Sequence, residues 1–152
     1  MHYKIIAIGK MRPSAELDLL KNYSARIRPD LQIIELEEKR NLSSNELKTR
    51  EGELLLSAIP AAAKVIALDE RGKSITSREL ATQLGAWKDD GVREAVFLIG
   101  GADGLDENVR KKADMVISFG AMTWPHMMVR AMVGEQIYRA QSILSGHPYH
   151  RD

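Results

Sequence analysis

Five short apolar runs, each separated from the next by a segment with helix signals, constrain the fold of this chain most. Runs of this length that are apolar on both faces are typical of buried strands in a parallel sheet, with helices covering the two faces. The sequence therefore predicts an α/β fold, a single three-layer domain over residues 1–152 with a mostly parallel sheet. The predicted strands are Tyr3–Gly9, Leu31–Leu36, Lys64–Leu68, Glu94–Ile99 and Met115–Phe119.

Four segments between these runs carry the residues that begin helices. Ser, Thr and Asp are favoured immediately before a helix, because their side chains accept from the first free backbone N–H groups. The predicted helices run from Ser14 to about Ile27, from Ser43 or Ser44 to about Ile59, from Ser77 to Lys88 after a Thr76 cap, and from Asp106 to Ala113.

A fifth helix is predicted from Pro125 to about Ser145, with Gly146 as its C-terminal signal. It is apolar around nearly its whole circumference, whereas a surface helix needs only one apolar stripe. We therefore expect it to be buried on one side by its own sheet and on another by a second copy of the chain. This predicts a homodimer packed through the C-terminal helix. Its methionines are more typical of core and interface than of a cofactor site.

Composition narrows the functional classes. The chain has 22 basic and 21 acidic residues, so binding to long nucleic acid by overall charge is not expected, and an RNA contact would have to be local. With no cysteine and with four histidines that lack metal-ligand spacing, no metal site is predicted. No run is long enough for a signal peptide or a membrane span, which predicts a cytoplasmic protein without a membrane partner.

Three glycine-rich or small-residue segments follow predicted strands, at 68–73, 100–104 and 119–124. In open parallel sheets, ligands bind beyond the carboxyl ends of the strands, where glycine lets them approach the backbone. We expect Gly101 to be the most fragile of these positions. The alternative is that the segments are only tight strand-to-helix turns. A dinucleotide fingerprint would need glycine at position 102, where Ala102 stands, so an oxidoreductase is disfavoured.

Two sets of polar residues can be interpreted either as part of a functional site or as ordinary surface structure. His126 and Arg130 share one stripe of the last helix, and they form either a site or an ordinary solvated face. Tyr149, His150 and Arg151 place an aromatic ring among potential cations, which suits a base and its phosphate, although such tails are often frayed. Glu135 and Arg139 have the spacing of a simple i,i+4 ion pair.

Four motifs taken in order resemble one known family along the whole chain: LDERGK at 68–73, LIGGADGL at 98–105, MTWPHMMVRAMVGEQIYRA at 122–140 and HPYHR at 147–151. They are similar to those of the large-subunit ribosomal RNA pseudouridine N3-methyltransferases, small members of the SPOUT or α/β-knot methyltransferases. One departure is Trp124, which stands where the family pattern has Leu or Phe.

The resemblance implies an S-adenosylmethionine-dependent enzyme with a C-terminal trefoil knot, acting as a homodimer. It implies methylation of N3 of a pseudouridine in 23S ribosomal RNA within the assembled ribosome. The residues implied to bind the cofactor are Leu68, Gly100, Gly101, Phe119, Gly120, Ala121, Met122, Thr123 and Trp124. Those implied to serve the reaction are His126, Arg130, Tyr149, His150 and Arg151. The alternative is a knotted dimeric RNA-binding factor without catalytic activity, which S-adenosylmethionine affinity would distinguish.

Overall fold

The computed structural model describes residues 1–152 and contains one five-stranded sheet in the order β2-β1-β4-β3-β5, with every neighbouring pair parallel. Each strand is apolar because both faces of a parallel sheet are covered. The strands are β1 His2–Ile8, β2 Gln32–Leu36, β3 Lys64–Ser74, β4 Glu94–Ile99 and β5 Met115–Ser118.

Five helices connect and follow the strands, as predicted. They are α1 Ala15–Ser24, α2 Ser44–Ala58, α3 Ser77–Asp89, α4 Glu107–Lys112 and α5 His126–Ser145. The caps of the first four are Ser14, Ser43, Thr76 and Asp106, and each side chain accepts a backbone N–H. Gly146 ends α5 in the left-handed conformation, with φ of 72°. Pro125 lies at the cap position rather than in the first turn of that helix.

The side chains of successive strand residues enter two different cores, which confirms the three-layer prediction. On β1, Ile5 and Ala7 belong to a cluster of 19 buried residues that also contains residues of α1, α3 and α5. Ile6 and Ile8 belong to a cluster of nine buried residues that includes Leu55 of α2 and, from α4, Val109. Successive side chains of a pleated strand point to opposite faces of the sheet, and each face is covered by its own layer of helices.

The third strand is longer than predicted. The sequence predicts an end at Leu68, but pairing with β5 resumes at Lys73 after an irregularity in register. Leu68 and Lys73 both pair with Ile117, so residues 69–72 bulge out of the sheet. A Cβ on Gly72 would lie 2.6 Å from the carbonyl carbon of Ile117, so only glycine fits this return.

Helix α5 is buried on more than one side, as predicted. Part of its covering comes from two neighbouring helices of the same chain, which was not predicted. It packs on the sheet and also against α1 and α3. Its remaining surface carries half-buried residues, among them Met128, Met132 and Arg139. The second copy of the chain and the knot stay predictions. No helix combines the length and apolar character needed to cross a membrane.

Candidate functional site

A cavity of about 530 Å³ opens beyond the carboxyl ends of β3, β4 and β5. All three of the predicted loops contribute to its wall. Every residue predicted to bind a cofactor lines it except Ala121, and His126 lines it as well. The prediction that the three loops meet is confirmed, because parallel strands bring their carboxyl ends to one edge of the sheet, while cofactor binding by these residues stays a prediction.

The loop after β4 is closed so tightly that its first glycine has no room for a side chain. A Cβ on Gly100 would lie 2.8 Å from the carbonyl oxygen of Gly104, a backbone atom that cannot move aside cheaply. Gly104 has φ of 82°, and its N–H donates to the carbonyl of Gly101 at 3.1 Å. A Cβ on Gly101 would meet only side-chain atoms, the carboxylate of Glu51 at 3.1 Å and Cγ2 of Ile8 at 3.2 Å. Gly100 rather than Gly101 is thus the more constrained position.

The loop after β5 is held by contacts within itself. Ser118 Oγ donates to the carbonyl of Gly120 at 2.8 Å and accepts the Gly120 N–H at 3.1 Å. Gly120 has φ of 112°, which favours glycine. The indole N–H of Trp124 donates to the carbonyl of Phe119 at 3.3 Å. These three hydrogen bonds fix the backbone of the loop at both of its ends.

Charged groups on the cavity wall differ in whether they are paired. Asp69 accepts two hydrogen bonds from the Arg71 guanidinium, each of 2.9 Å. Burial acts to raise the pKa of Asp69, but these bonds and the charges of Arg71 and Arg110 hold it below its usual range. Lys48, from α2, is half-buried on the same wall and makes no ion pair or hydrogen bond. Lys48 is therefore the cation of this wall that is open to a ligand.

His126 begins α5 and is half-buried at the cavity. Burial lowers the pKa of its imidazole, and the nearby charge of Arg130 lowers it further. The ring is therefore neutral at pH 7 and has one nitrogen able to accept a proton.

Arg130 is fully buried, so the interpretation of a solvated face is wrong for this residue. Its guanidinium donates to Glu35 Oε2 at 2.8 Å, to the carbonyl of Gly9 at 2.8 Å and to the carbonyl of Ile8. These bonds tie α5 to the ends of β1 and β2. Arg130 does not line the cavity, and its catalytic role stays a prediction.

The C-terminal residues are docked on α5, so the interpretation of a frayed tail is wrong for Tyr149 and His150. The Tyr149 hydroxyl donates to Glu135 Oε1 at 2.9 Å and lies 3.0 Å from the hydroxyl oxygen of Tyr23. Its ring lies 4.7 Å from that of Tyr138, edge to face. Burial and these hydroxyl contacts raise the pKa of Tyr149.

Arg139 holds two parts of this tail. Its guanidinium is 4.9 Å from the centre of the Tyr149 ring, and its Nη1 is 3.0 Å from Nδ1 of His150. It also donates to Glu135, which confirms the predicted i,i+4 pair. Arg151 remains exposed. None of the tail residues lines the cavity of its own chain.

Sequence reasoning missed a buried carboxyl behind the glycine loop. Glu51 is 8% exposed, and its Oε1 has no hydrogen-bond partner. Burial raises the pKa of Glu51, and the charge of Asp103 raises it further. No signal in the sequence separates this residue from Glu53, which lies on the exposed side of the same helix and pairs with Arg50.

Comparison with known proteins places these features in context. A family model described as predicted SPOUT methyltransferase matches residues 1–150. Proteins named ribosomal RNA large subunit methyltransferase H from Paramagnetospirillum magneticum and Rhodospirillum centenum are 52% and 48% identical over 151 residues, covering 99% of both chains in each comparison. A solved probable methylase family protein from Haemophilus influenzae Rd KW20 has a TM-score of 0.61 and 12% identity, covering 99% of this chain and 70% of that one. That last likeness shows the fold alone.

Proposed function

We propose a function from the premise that this chain belongs to the SPOUT methyltransferase family. The protein is an S-adenosylmethionine-dependent methyltransferase that acts on large-subunit ribosomal RNA. The observation that carries this proposal is the cavity beyond β3, β4 and β5, built from the three loops that the family resemblance assigns to the cofactor. The relatives named above match this chain over 99% of their own length.

The cavity suits the cofactor in size and in the chemistry of its wall. A volume of about 530 Å³ lies within the range of small-molecule sites. Leu68, Ile99 and Phe119 offer apolar surface to an adenine ring, and the Gly100–Gly104 turn brings backbone groups close to a ligand. When bound, S-adenosylmethionine supplies an electrophilic methyl group at its sulfonium centre.

The acceptor that we propose is N3 of a pseudouridine. An imide nitrogen becomes nucleophilic when it loses its proton, so a neutral base near the cavity assists the reaction. His126 is the histidine that lines the cavity, and its lowered pKa keeps it able to accept a proton at pH 7. Positive charge stabilises the imide anion, and we assign that part to the exposed tail cation Arg151, next to His150.

We propose that the enzyme works as a homodimer through α5. The tail is held beside Glu135 and Arg139 and does not reach the cavity of its own chain, so a contact between tail and substrate requires the cavity of a partner. The half-buried apolar residues Met128 and Met132 on the same helix supply surface for that partner.

Three further proposals follow from family membership. Residues 1–152 act as a single domain, since one sheet carries both apolar clusters. Its C-terminal part forms a trefoil knot. The protein works in the cytoplasm, where ribosomes are assembled.

Calorimetric titration with S-adenosylmethionine tests the cofactor, with NAD and ATP as controls. We expect binding of S-adenosylmethionine only, and transfer of its labelled methyl group to ribosomes that lack this modification. Binding without transfer would favour a different acceptor. The absence of S-adenosylmethionine binding by folded protein would favour the RNA-binding factor without activity.

A further inference from the structure

The rim of the cavity carries an unusual concentration of exposed apolar side chains. Only four large apolar side chains in the whole chain are exposed, and two of them, Met122 at 77% and Trp124 at 41%, flank Thr123 in the loop after β5. Both line the cavity. The other two, Leu19 and Leu144, lie on helices away from it. Exposed apolar surface at the mouth of a site indicates contact with something outside the protein.

The indole of Trp124 is held by one hydrogen bond while 41% of the residue stays exposed. Its N–H donates to the carbonyl of Phe119, so the polar edge of the ring is already satisfied within the loop. What remains for a ligand is an aromatic face held by a short loop. Such a face is suited to stacking, and it recognises any flat ring without needing hydrogen-bond donors.

The geometry of methyl transfer indicates that the ring at the rim of the cavity belongs to the acceptor nucleotide. Methyl transfer requires the acceptor atom within about 3–3.5 Å of the methyl carbon. A base attached to an RNA strand enters a cavity of this size only through its mouth, while the strand itself stays outside. Trp124 lines the cavity and is 41% exposed, which puts it at the rim, and Lys48, the half-buried cation without an ion-pair partner, lines the same cavity.

We propose that Trp124 is the stacking platform for the nucleotide presented to the cavity, and that Lys48 contacts its phosphate. Trp124 is then a positioning residue for the RNA rather than part of the cofactor wall. This inference rests on the proposed function, since it assumes that RNA delivers the acceptor.

The test compares Trp124→Phe with Trp124→Leu. Both variants lose the indole N–H, so they differ in whether an aromatic face remains. With ribosomes lacking the modification, we expect Trp124→Leu to lower kcat/KM at least about tenfold, and Trp124→Phe to stay within about threefold of wild type. S-adenosylmethionine affinity should change less than about twofold in both. Leu19→Ala is the matched control, because Leu19 is similarly exposed but lies on α1 rather than on α5, away from the cavity.

The phosphate contact proposed for Lys48 is tested by the salt dependence of ribosome binding. Lys48→Gln should weaken ribosome binding and reduce the slope of log affinity against log salt by about one, as expected for one phosphate contact. Lys111→Gln, on the exposed side of α4, should leave the slope unchanged.

Three results would overturn the proposal, and each differs from failure of the proposed function, in which the wild type itself would not methylate ribosomes. Equal kcat/KM for the Phe and Leu variants would show that no ring is stacked. A parallel loss of S-adenosylmethionine affinity in Trp124→Leu would return the indole to the cofactor wall. Loss of dimer mass in that variant would show that the indole packs on the partner copy.

Discussion

Replacing Arg130 with Met separates a structural role for this arginine from the catalytic role predicted from the sequence. The methionine keeps most of the buried aliphatic volume, so no large cavity is created. It removes three hydrogen bonds that join α5 to the ends of β1 and β2, namely those to Ile8, Gly9 and Glu35.

The loss of stability follows from the partners left behind. The two carbonyls lose a charged donor, in a buried bond for Ile8 and a partly buried one for Gly9, and each unsatisfied buried group costs about 1–3 kcal/mol. Glu35 suffers less, because its side chain is 29% exposed and also accepts the N–H of Met11. The substitution also removes the desolvation cost of burying the guanidinium charge, and this offsets part of the loss. We expect the free energy of unfolding to fall by about 3 kcal/mol, a decrease in Tm of roughly 6–12 °C for a chain of this size.

Urea unfolding followed by circular dichroism measures this change at fixed protein concentration. Arg78→Met is the control, since Arg78 is 56% exposed and its pair with Asp152 should contribute less than about 1 kcal/mol. Below the unfolding transition, Arg130→Met should still bind S-adenosylmethionine. If this variant instead keeps its stability within about 1 kcal/mol of wild type and loses only methylation, the structural assignment is refuted and the arginine serves the reaction.

Three further predictions follow from the site. Gly100→Ala should weaken S-adenosylmethionine binding at least about tenfold, because its Cβ meets the backbone carbonyl of Gly104. Gly101→Ala, whose Cβ meets only side-chain atoms of Glu51 and Ile8, should have a smaller effect, and calorimetry on both folded variants decides. Tyr149→Phe should lower the free energy of unfolding by about 1 kcal/mol by removing the hydroxyl contacts to Glu135 and Tyr23, with cofactor affinity unchanged, and an unaltered urea midpoint would contradict the docked tail. The pKa of His126 in the folded state is below its ordinary 6.5. Its contribution to stability is therefore present above pH 6.5 and is lost as the pH falls through the folded-state pKa. Between pH 8 and pH 5, the free energy of unfolding should fall less for His126→Gln than for wild type.

The order of elements and the place of the cavity could be predicted because both follow from local patterns. Apolar runs identify strands, Ser14 and Thr76 identify helix starts, and parallel strands bring the ends that carry Leu68 and Gly100 to one edge. The end of β3 could not be predicted. Its continuation past Leu68 depends on pairing with Ile117, nearly fifty residues away in sequence, and on the absence of a side chain at Gly72.

The contacts that polar side chains make could not be predicted from local sequence patterns either. Helical spacing places His126 and Arg130 on one stripe, but it does not show that the guanidinium meets two carbonyls at the end of β1. The docking of the tail could not be predicted for the same reason, since the partner of Tyr149 on α1, Tyr23, is 126 residues away. Long-range pairs of this kind decide which charges are buried, and they are visible only once the chain is folded.

Helix α5 separates the tail from the cavity of its own chain, and this leads to a prediction about the dimer. His126 lies at the cavity and Glu135, which holds Tyr149, is nine residues further along the helix. At 1.5 Å per residue these positions are about 14 Å apart, too far for a tail docked at Glu135 to touch a base in the cavity beside His126.

A chain lacking residues 149–152 and a chain carrying Gly100→Val, whose branched side chain meets the Gly104 carbonyl and fills the cavity edge, should each form inactive homodimers of twice the monomer mass, the first with normal S-adenosylmethionine affinity. Mixed and re-equilibrated, they should recover methylation, because a mixed dimer pairs the intact cavity of one chain with the intact tail of the other. A mixture as inactive as its components, with mixed dimers demonstrated by differently tagged chains, would show that each tail serves its own chain and that the tail leaves α5 when RNA binds. Normal methylation by the tail-deleted homodimer would show that Tyr149, His150 and Arg151 take no part in the reaction.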